Sequence, residues 1–214
     1  MQIHLSYSDL ISMEKQTRVN FANSLGGFKS VCIVGTQNKI QQTNLAIISS
    51  LIHIGSNPTL FAMVFRPGVV PRHTMENILD TKFYTINHIN ETIYKQAHQT
   101  SARYDRAISE FDATDLNAEF KDDFFAPFVA ESQVQMAMEF KEKIDIKINN
   151  TVLVIGEVKD VYFPADCIEK DGFLNIEKAA TITCSGLDSY HKTILLDRLS
   201  YAKPDKELTS IKIN

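Results

Sequence analysis

One stretch of this 214-residue chain carries side chains that could bind a phosphate group. Arg72, His73 and Thr74 stand at the start of a short helix pattern that includes Asn77. A cation, a hydroxyl and the free N–H groups of a helix start together supply the chemistry of an anion site. These residue types therefore predict an anion-binding helix start.

A second stretch, residues 43–50, interrupts an apolar strand pattern with small polar residues. Its letters are TNLAIISS, in which Asn44, Ala46, Ser49 and Ser50 have short side chains. Short side chains let a flat ligand approach the backbone closely. An ordinary edge strand with solvent-facing polar residues would show the same pattern. The functional interpretation of this strand therefore depends on the anion site that follows it.

Other groupings of reactive residue types do not support a catalytic centre. Asp188, Ser189 and His191 contain the letters of a hydrolytic triad, but residues this close in sequence rarely supply its geometry. The chain has no G-x-S-x-G motif, and its six histidines form no HxH or HExxH pair. We therefore expect neither a nucleophilic triad nor a metal site.

Composition narrows the class of protein further. The chain is 44% hydrophobic and 22% charged with a net charge of −4, which disfavours nucleic acid as a partner. No apolar run is long enough for a membrane helix, and the first residues do not resemble a signal peptide. Cys32, Cys167 and Cys184 are few, distant and without a CxxC motif, which is typical of reduced thiols in a cytoplasmic protein.

The spacing of apolar runs and turn residues predicts a mainly β protein. The absence of βαβ alternation and of GxGxxG argues against a dinucleotide-binding Rossmann domain. Many β runs at hairpin spacing with few helices favour a closed antiparallel barrel with peripheral helices. The predicted strands are residues 30–36, 43–54, 59–65, 82–87 and 151–162, with a bulge at Gly156. Residues 129–148 are predicted as one long strand or a broken pair. The predicted helices are residues 6–15, 72–79, 91–99 and 107–111, with connectors at 21–27 and 67–71 and a covering excursion over 100–128.

Taken in their order along the chain, the sequence motifs resemble those of the flavin reductase-like family of FMN-binding split barrels, which includes flavoredoxin. RHTMENI at 72–78 resembles the family's K/R-D-T-x-x-N-I, and KFYTIN at 82–87 resembles its "eFvvN" strand. NPTLFAMVFRP at 57–67 resembles its "PPLV" strand. The resemblance spans nearly the whole chain, and RHTMENI with TNLAIISS carries most of it. We therefore expect one split-barrel domain over residues 1–214.

The resemblance implies a fold, a partner and a cofactor site. The fold is an antiparallel Greek-key barrel of six strands, and the partner is a second copy in a homodimer with FMN near the interface. Carried over residue by residue, the segment that lines the isoalloxazine ring, largely through backbone groups, contains Asn44, Ala46, Ser49 and Ser50.

The same resemblance assigns the phosphate end of the cofactor. Arg72 and Thr74 fall on the phosphate-binding positions, and Asn77 falls on the helix position that supports their turn. His73 stands where the family often has Asp, which loosens the cap of the turn or adds positive charge near the phosphate.

Aromatic contact with the flavin is the least defined part of this assignment. Ser50 stands where some relatives carry an aromatic residue, and the chain has no Trp. Tyr104 and Tyr190 are the candidates to supply ring contacts from elsewhere in the sequence.

The function implied by the resemblance is an FMN-dependent oxidoreductase. Hydride would pass from NAD(P)H to the flavin and then to an acceptor, and the cofactor itself would perform the chemistry. No catalytic side chain is therefore assigned. Two alternatives stay open at this point: an FMN-binding electron carrier without substrate turnover, and a flavin-free split barrel used in ligand sensing or assembly.

Overall fold

The computed structural model describes residues 1–67 and 72–212, which fold mainly as antiparallel strands with few helices, as predicted. Most of the connector predicted at 67–71 lies outside the described residues. The strands are β1 Lys29–Ser30, β2 Cys32–Gln37, β3 Thr43–Ile48, β4 Ile52–Ser56, β5 Thr59–Phe65, β6 Phe83–His88, β7 Ala118–Glu119, β8 Phe128–Val129, β9 Gln135–Ile146, β10 Thr151–Tyr162, β11 Thr183–Ser185 and β12 Ser189–His191. The helices are α1 Tyr7–Ser12, α2 Lys15–Leu25, α3 His73–Thr81, α4 Tyr94–Gln99, α5 Glu110–Ala113 and a single 3₁₀ turn, Ala165–Cys167.

Seven strands form one antiparallel sheet in the order β3-β2-β6-β9-β10-β5-β4. The edge strands β3 and β4 follow one another in the chain with only residues 49–51 between them. Three residues span at most about 10 Å, so the two edges lie close together and the sheet must curl. Ser50 links the two sides of this seam, because its hydroxyl donates to the Val64 carbonyl at 3.2 Å and accepts from the Val64 N–H at 3.1 Å. The result is a split barrel of Greek-key type.

Side chains alternate between the two faces of each strand, and this alternation divides the hydrophobic core into two clusters. On β2, Ile33 packs in one cluster while Cys32 and Val34 pack in the other, because successive side chains point to opposite faces of a sheet. One cluster lies between the sheet and helices α4 and α5. It includes Leu45 and Phe111. The other fills the barrel interior with residues of β2, β5, β6, β9 and β10.

The long hairpin of β9 and β10 follows its prediction closely at the turn and the bulge. The chain turns after β9 at Asn149 and Asn150, and Asn150 has a φ of 56°. The register of β9 against β10 shifts between Ile155 and Gly156, which confirms the bulge. Of the two alternatives for residues 129–148, the structure has the broken one, because Val129 belongs to β8, which pairs with β7, and β9 begins at Gln135.

Several other predicted elements differ from the structure, among them the helix predicted at 6–15, which ends at Ser12. The strand predicted over 43–54 is two strands, β3 and β4, because the chain crosses the barrel seam at residues 49–51. The sheet therefore has seven strands rather than the six that the resemblance implied. The connector predicted at 21–27 is mostly the end of α2, a helix with no buried residue and hence with little periodic signal. The helix predicted at 107–111 is shifted to Glu110–Ala113, and that predicted at 91–99 begins at Tyr94.

Candidate functional site

An open cleft of about 1280 Å³ lies beside the edge strand β3 and the start of α3. Segment 100–106 and residues near β11 and β12 complete its walls. The cleft brings together two stretches that are about thirty residues apart in sequence. It is lined by six of the seven predicted site residues, namely Asn44, Ala46, Ser49, Ser50, Arg72 and Thr74.

Strand β3 is fixed at this cleft by side chains on its open edge. It pairs with β2 on one side only, so its outward N–H groups need other acceptors. The Leu45 N–H donates to Glu110 Oε2 at 2.9 Å, and the Ile47 N–H donates to Thr100 Oγ1 at 2.9 Å. These two bonds hold the strand in place. They also block its edge against further strand pairing.

Glu110 makes this bond from a buried position, and burial raises its pKa above the ordinary value. Its hydrogen bonds with the Leu45 N–H and its own N–H oppose that rise, as does the nearby His73. The carboxyl group therefore serves the backbone of β3 rather than the cleft as a free base. Sequence reasoning missed this role because residues 45 and 110 are far apart in the chain.

The start of α3 offers unsatisfied donors to the cleft. Arg72 is the N-cap residue, and among the described residues no side chain caps the helix. The first N–H groups of any α-helix have no acceptor within the helix. Thr74 Oγ1 accepts a hydrogen bond from Asn44 Nδ2 at 2.9 Å, so its own hydroxyl hydrogen is left to donate elsewhere. The first N–H groups of α3 and the Thr74 hydroxyl hydrogen are therefore available as donors at the same helix start.

The Arg72 side chain indicates that a phosphate group would fit at the start of α3. Its Nε atom is buried and has no hydrogen-bond partner within residues 1–67 and 72–212. A buried donor without an acceptor costs about 1–3 kcal/mol, more for a charged group. A phosphate oxygen would satisfy it with a charge-assisted bond. The donor set at the start of α3 thus fits a phosphate group.

Asn77 does not line the cleft but lies behind its phosphate end. Its Nδ2 donates to Thr36 Oγ1 at 3.1 Å, and its Oδ1 accepts from Arg106 Nη2 at 3.4 Å. Arg106 also pairs with the Glu76 carboxylate. Asn77 therefore ties α3 to β2 and to the covering segment, so the structure gives it a positioning role.

Several other cleft residues were not identified from the sequence. Lys29, Arg66 and Arg103 add positive charge to its walls, and no local motif marks them because each comes from a different element. Tyr104 and Tyr190, the two aromatic candidates, both line the cleft. The Tyr190 hydroxyl lies 2.8 Å from His98 Nδ1, and burial raises its pKa to about 12. It is therefore a neutral donor or acceptor at neutral pH.

No group of three or more His, Cys, Asp or Glu side chains in residues 1–67 and 72–212 could hold a metal ion. No helix in the same ranges is long and apolar enough to cross a membrane.

The fold and the cleft define an antiparallel split-barrel protein in which a strand with short side chains lies beside donors suited to a phosphate group. The model of the flavin reductase like domain matches residues 28–179. The chain therefore belongs to the flavin reductase-like family, as the motifs indicated.

Solved structures of other proteins agree with this assignment. A split-barrel protein from Shewanella frigidimarina NCIMB 400, assigned to the flavin reductases, is 48% identical, with a TM-score of 0.91 over 94% of this chain and 100% of that one. Nitrilotriacetate monooxygenase component B from Bacillus cereus is 17% identical, with a TM-score of 0.80 over 93% and 99% of the two chains. Flavoredoxin of Desulfovibrio vulgaris (Miyazaki F) is 18% identical, with a TM-score of 0.69 over 84% and 92%. The last two show the shared fold alone. No curated protein matches the chain.

Proposed function

We propose that the protein is an FMN-dependent oxidoreductase of the flavin reductase type that uses NAD(P)H. The observation that carries this proposal is the meeting of β3 and the start of α3 in one cleft, with the Arg72 Nε buried and unpartnered among the described residues. A short-side-chain strand beside an anion site fits a flat ring joined to a phosphate. Membership of the flavin reductase-like family supports the same reaction type.

Each part of the cleft has a role in this proposal. Arg72, Thr74 and the N–H groups of the α3 start would hold the FMN phosphate. The backbone around Ala46 and residues 49–50 would lie against the isoalloxazine ring. When bound, FMN supplies the hydride-accepting chemistry. The side chains bind, orient and partly desolvate the site, and none needs to act as a catalytic acid or base.

The size of the cleft supports a reaction with a second substrate. Pockets for small ligands typically measure about 300–1,000 Å³, and this cleft measures about 1280 Å³ and is open to solvent. It therefore leaves room for a nicotinamide beside the ring. This favours turnover over a carrier that only exchanges electrons at a distance.

We also propose a homodimer, which the exposed C-terminal arm, residues 192–212, supports. Ile194 is 86% exposed, Leu196 is 97% exposed and Tyr201 is 88% exposed. Large apolar side chains exposed along one segment typically mark a protein–protein contact. A second copy of the chain would bury them. Light scattering should report a dimer for the full chain and a monomer for a chain that ends at His191.

The cytoplasm is the compartment we propose for this activity. Cys32, Cys167 and Cys184 are all free and buried. Unpaired thiols are typical of proteins from reducing compartments.

Two measurements on purified protein test the proposed function. Bound oxidised flavin would give absorbance near ~450 nm, either on purification or after FMN is added. Consumption of NADH or NADPH in the presence of FMN would then establish reductase activity. A colourless protein that takes up no FMN would contradict the proposal. A yellow protein that consumes neither nucleotide would indicate the electron carrier instead.

A further inference from the structure

Asn23, at the end of α2, holds two cationic side chains at one end of the cleft. The Arg66 Nη2 donates to Asn23 Oδ1 at 2.8 Å. The Lys29 Nζ donates to the Asn23 carbonyl at 3.3 Å and to the Gly186 carbonyl at 2.5 Å. The Asn23 amide is itself oriented by a 2.7 Å bond from its Nδ2 to the Val19 carbonyl. A single uncharged residue thus brings the ammonium and the guanidinium together.

Neither of these cations is neutralised by a carboxylate. Within residues 1–67 and 72–212, the ion pairs include neither Lys29 nor Arg66. Asp188 shares the cleft wall, but no ion pair in the described part of the chain joins it to either cation. An anion bound between them would relieve their mutual repulsion.

The pair lies at the opposite end of β3 from the start of α3. Lys29 pairs with Cys184 in the register of β1 against β11, and both line the cleft with Ser49, the residue that follows β3. Thr74 contacts Asn44, near the beginning of β3. Five residues of extended strand separate positions 44 and 49, a distance of roughly 16 Å. One phosphate group cannot reach both places.

We propose that Lys29 and Arg66, held by Asn23, form a second anion subsite that binds the phosphates of the nicotinamide dinucleotide. The inference rests on the proposed function, because the α3 start is already assigned to the FMN phosphate. A pyrophosphate carries the two negative charges that match the two cations. The ammonium and the fork of the guanidinium are both suited to phosphate oxygens.

The test measures ligand binding apart from turnover. ADP-ribose carries the pyrophosphate of the dinucleotide without the nicotinamide, and its affinity for FMN-loaded protein can be measured by calorimetry. Lys29→Gln with Arg66→Gln should weaken ADP-ribose binding at least about tenfold and raise the KM for NAD(P)H similarly. The FMN affinity should not change. Asn23→Asp should weaken ADP-ribose binding too, because a carboxylate would neutralise both cations without removing them.

The matched control removes two positive charges at positions outside the cleft. Lys39→Gln with Lys143→Gln deletes two surface lysines that pair with Asp80 and Asp145 outside the cleft, and it should leave ADP-ribose affinity unchanged. Equal ADP-ribose affinity in the Lys29/Arg66 variant and the wild type would overturn the proposal. So would a parallel loss of FMN affinity, because the pair would then bind the cofactor phosphate. If the wild type binds no FMN, the proposed function fails, and titration of the same preparation with pyrophosphate still tests the subsite.

Discussion

Asn44 on β3 donates a 2.9 Å hydrogen bond to the Thr74 hydroxyl on α3. Both side chains are buried, with exposed fractions of 7% and 6%. The bond joins the edge strand to the helix start across the base of the cleft, so it sets the separation between the proposed ring and phosphate positions. The Thr74 hydroxyl is the acceptor in this bond, so its hydrogen is left to donate to another acceptor.

The first prediction concerns the phosphate end of the cleft. Arg72→Ala with Thr74→Val should weaken FMN binding, because each removes a donor suited to a phosphate oxygen. Charge-assisted contacts contribute roughly 1.5–3 kcal/mol each, so the double variant should lose at least about a hundredfold in affinity. Fluorescence titration with FMN measures this loss.

Two control variants separate this effect from general damage. Thr74→Ser keeps the hydroxyl and should retain most of the affinity, while Lys143→Ala removes a distant surface cation and should have no effect. If FMN binds the Arg72/Thr74 double variant as tightly as the wild type, the phosphate lies elsewhere.

The parts of the fold that could be predicted from the sequence are those with a local signal. Strands 59–65 and 151–162 were predicted at their observed bounds because turn residues flank both and apolar residues fill them. The single strand predicted over 43–54 was wrong, since residues 49–51 keep a β-like composition while the chain crosses the seam. That crossing depends on the position of Val64 across the gap, which no local pattern encodes.

The residues of the candidate site likewise fall into those that a local sequence motif marks and those that it does not. Short local motifs marked the predicted cleft residues on β3 and α3, because a helix start and a strand each have a sequence signature. Glu110, Lys29 and Arg66 were missed, since each acts through partners distant in sequence. Glu110 bonds a backbone N–H 65 positions away, and Lys29 bonds a carbonyl 157 positions away.

The second prediction concerns Tyr84, whose hydroxyl is buried without a hydrogen-bond partner in the described residues. Burial raises its pKa further above the ordinary value, so it stays neutral. Tyr84→Phe should stabilise the protein by about 1 kcal/mol or more, because the unsatisfied hydroxyl is removed. Urea denaturation measures the change. A destabilised Phe variant would mean that the hydroxyl has a partner.

Gly156 provides the matched test of the same contact. A Cβ at this position would clash with the Tyr84 hydroxyl, so Gly156→Ala should be strongly destabilising in the wild type. In the Tyr84→Phe background the same change should cost less, because the atom nearest to the new methyl group is gone. Equal costs in both backgrounds would show that Gly156 is needed for the bulge alone.

The third prediction concerns Glu110. Because its pKa is raised above 4.5 in the folded protein, the folded state holds a proton that the unfolded state releases. Its contribution therefore lowers stability as the pH rises above 4.5. Glu110→Gln keeps an acceptor for the Leu45 N–H and should remove this loss. Glu110→Ala removes the acceptor and should cost about 1–3 kcal/mol at any pH. Denaturation curves at several pH values distinguish the two variants, and equal stabilities would contradict the assignment.

The last prediction concerns His88, whose burial lowers its pKa from 6.5 to about 4. The folded state then binds fewer protons than the unfolded state between these values, so stability should rise with pH across that window by up to about 1.4 kcal/mol per unit. The Nδ1 of His88 lies 3.1 Å from Thr181 Oγ1, a neutral partner that does not compensate a charged ring. His88→Gln should flatten the dependence, while His4→Gln at the exposed N-terminal segment should not. Glu110 has the opposite effect, because its contribution makes stability fall as the pH rises above 4.5. Stability should therefore depend less on pH in the double variant of His88→Gln and Glu110→Gln than in either single variant. If stability still rises with pH between 4 and 6.5 in the His88 variant, the acid sensitivity belongs to another group.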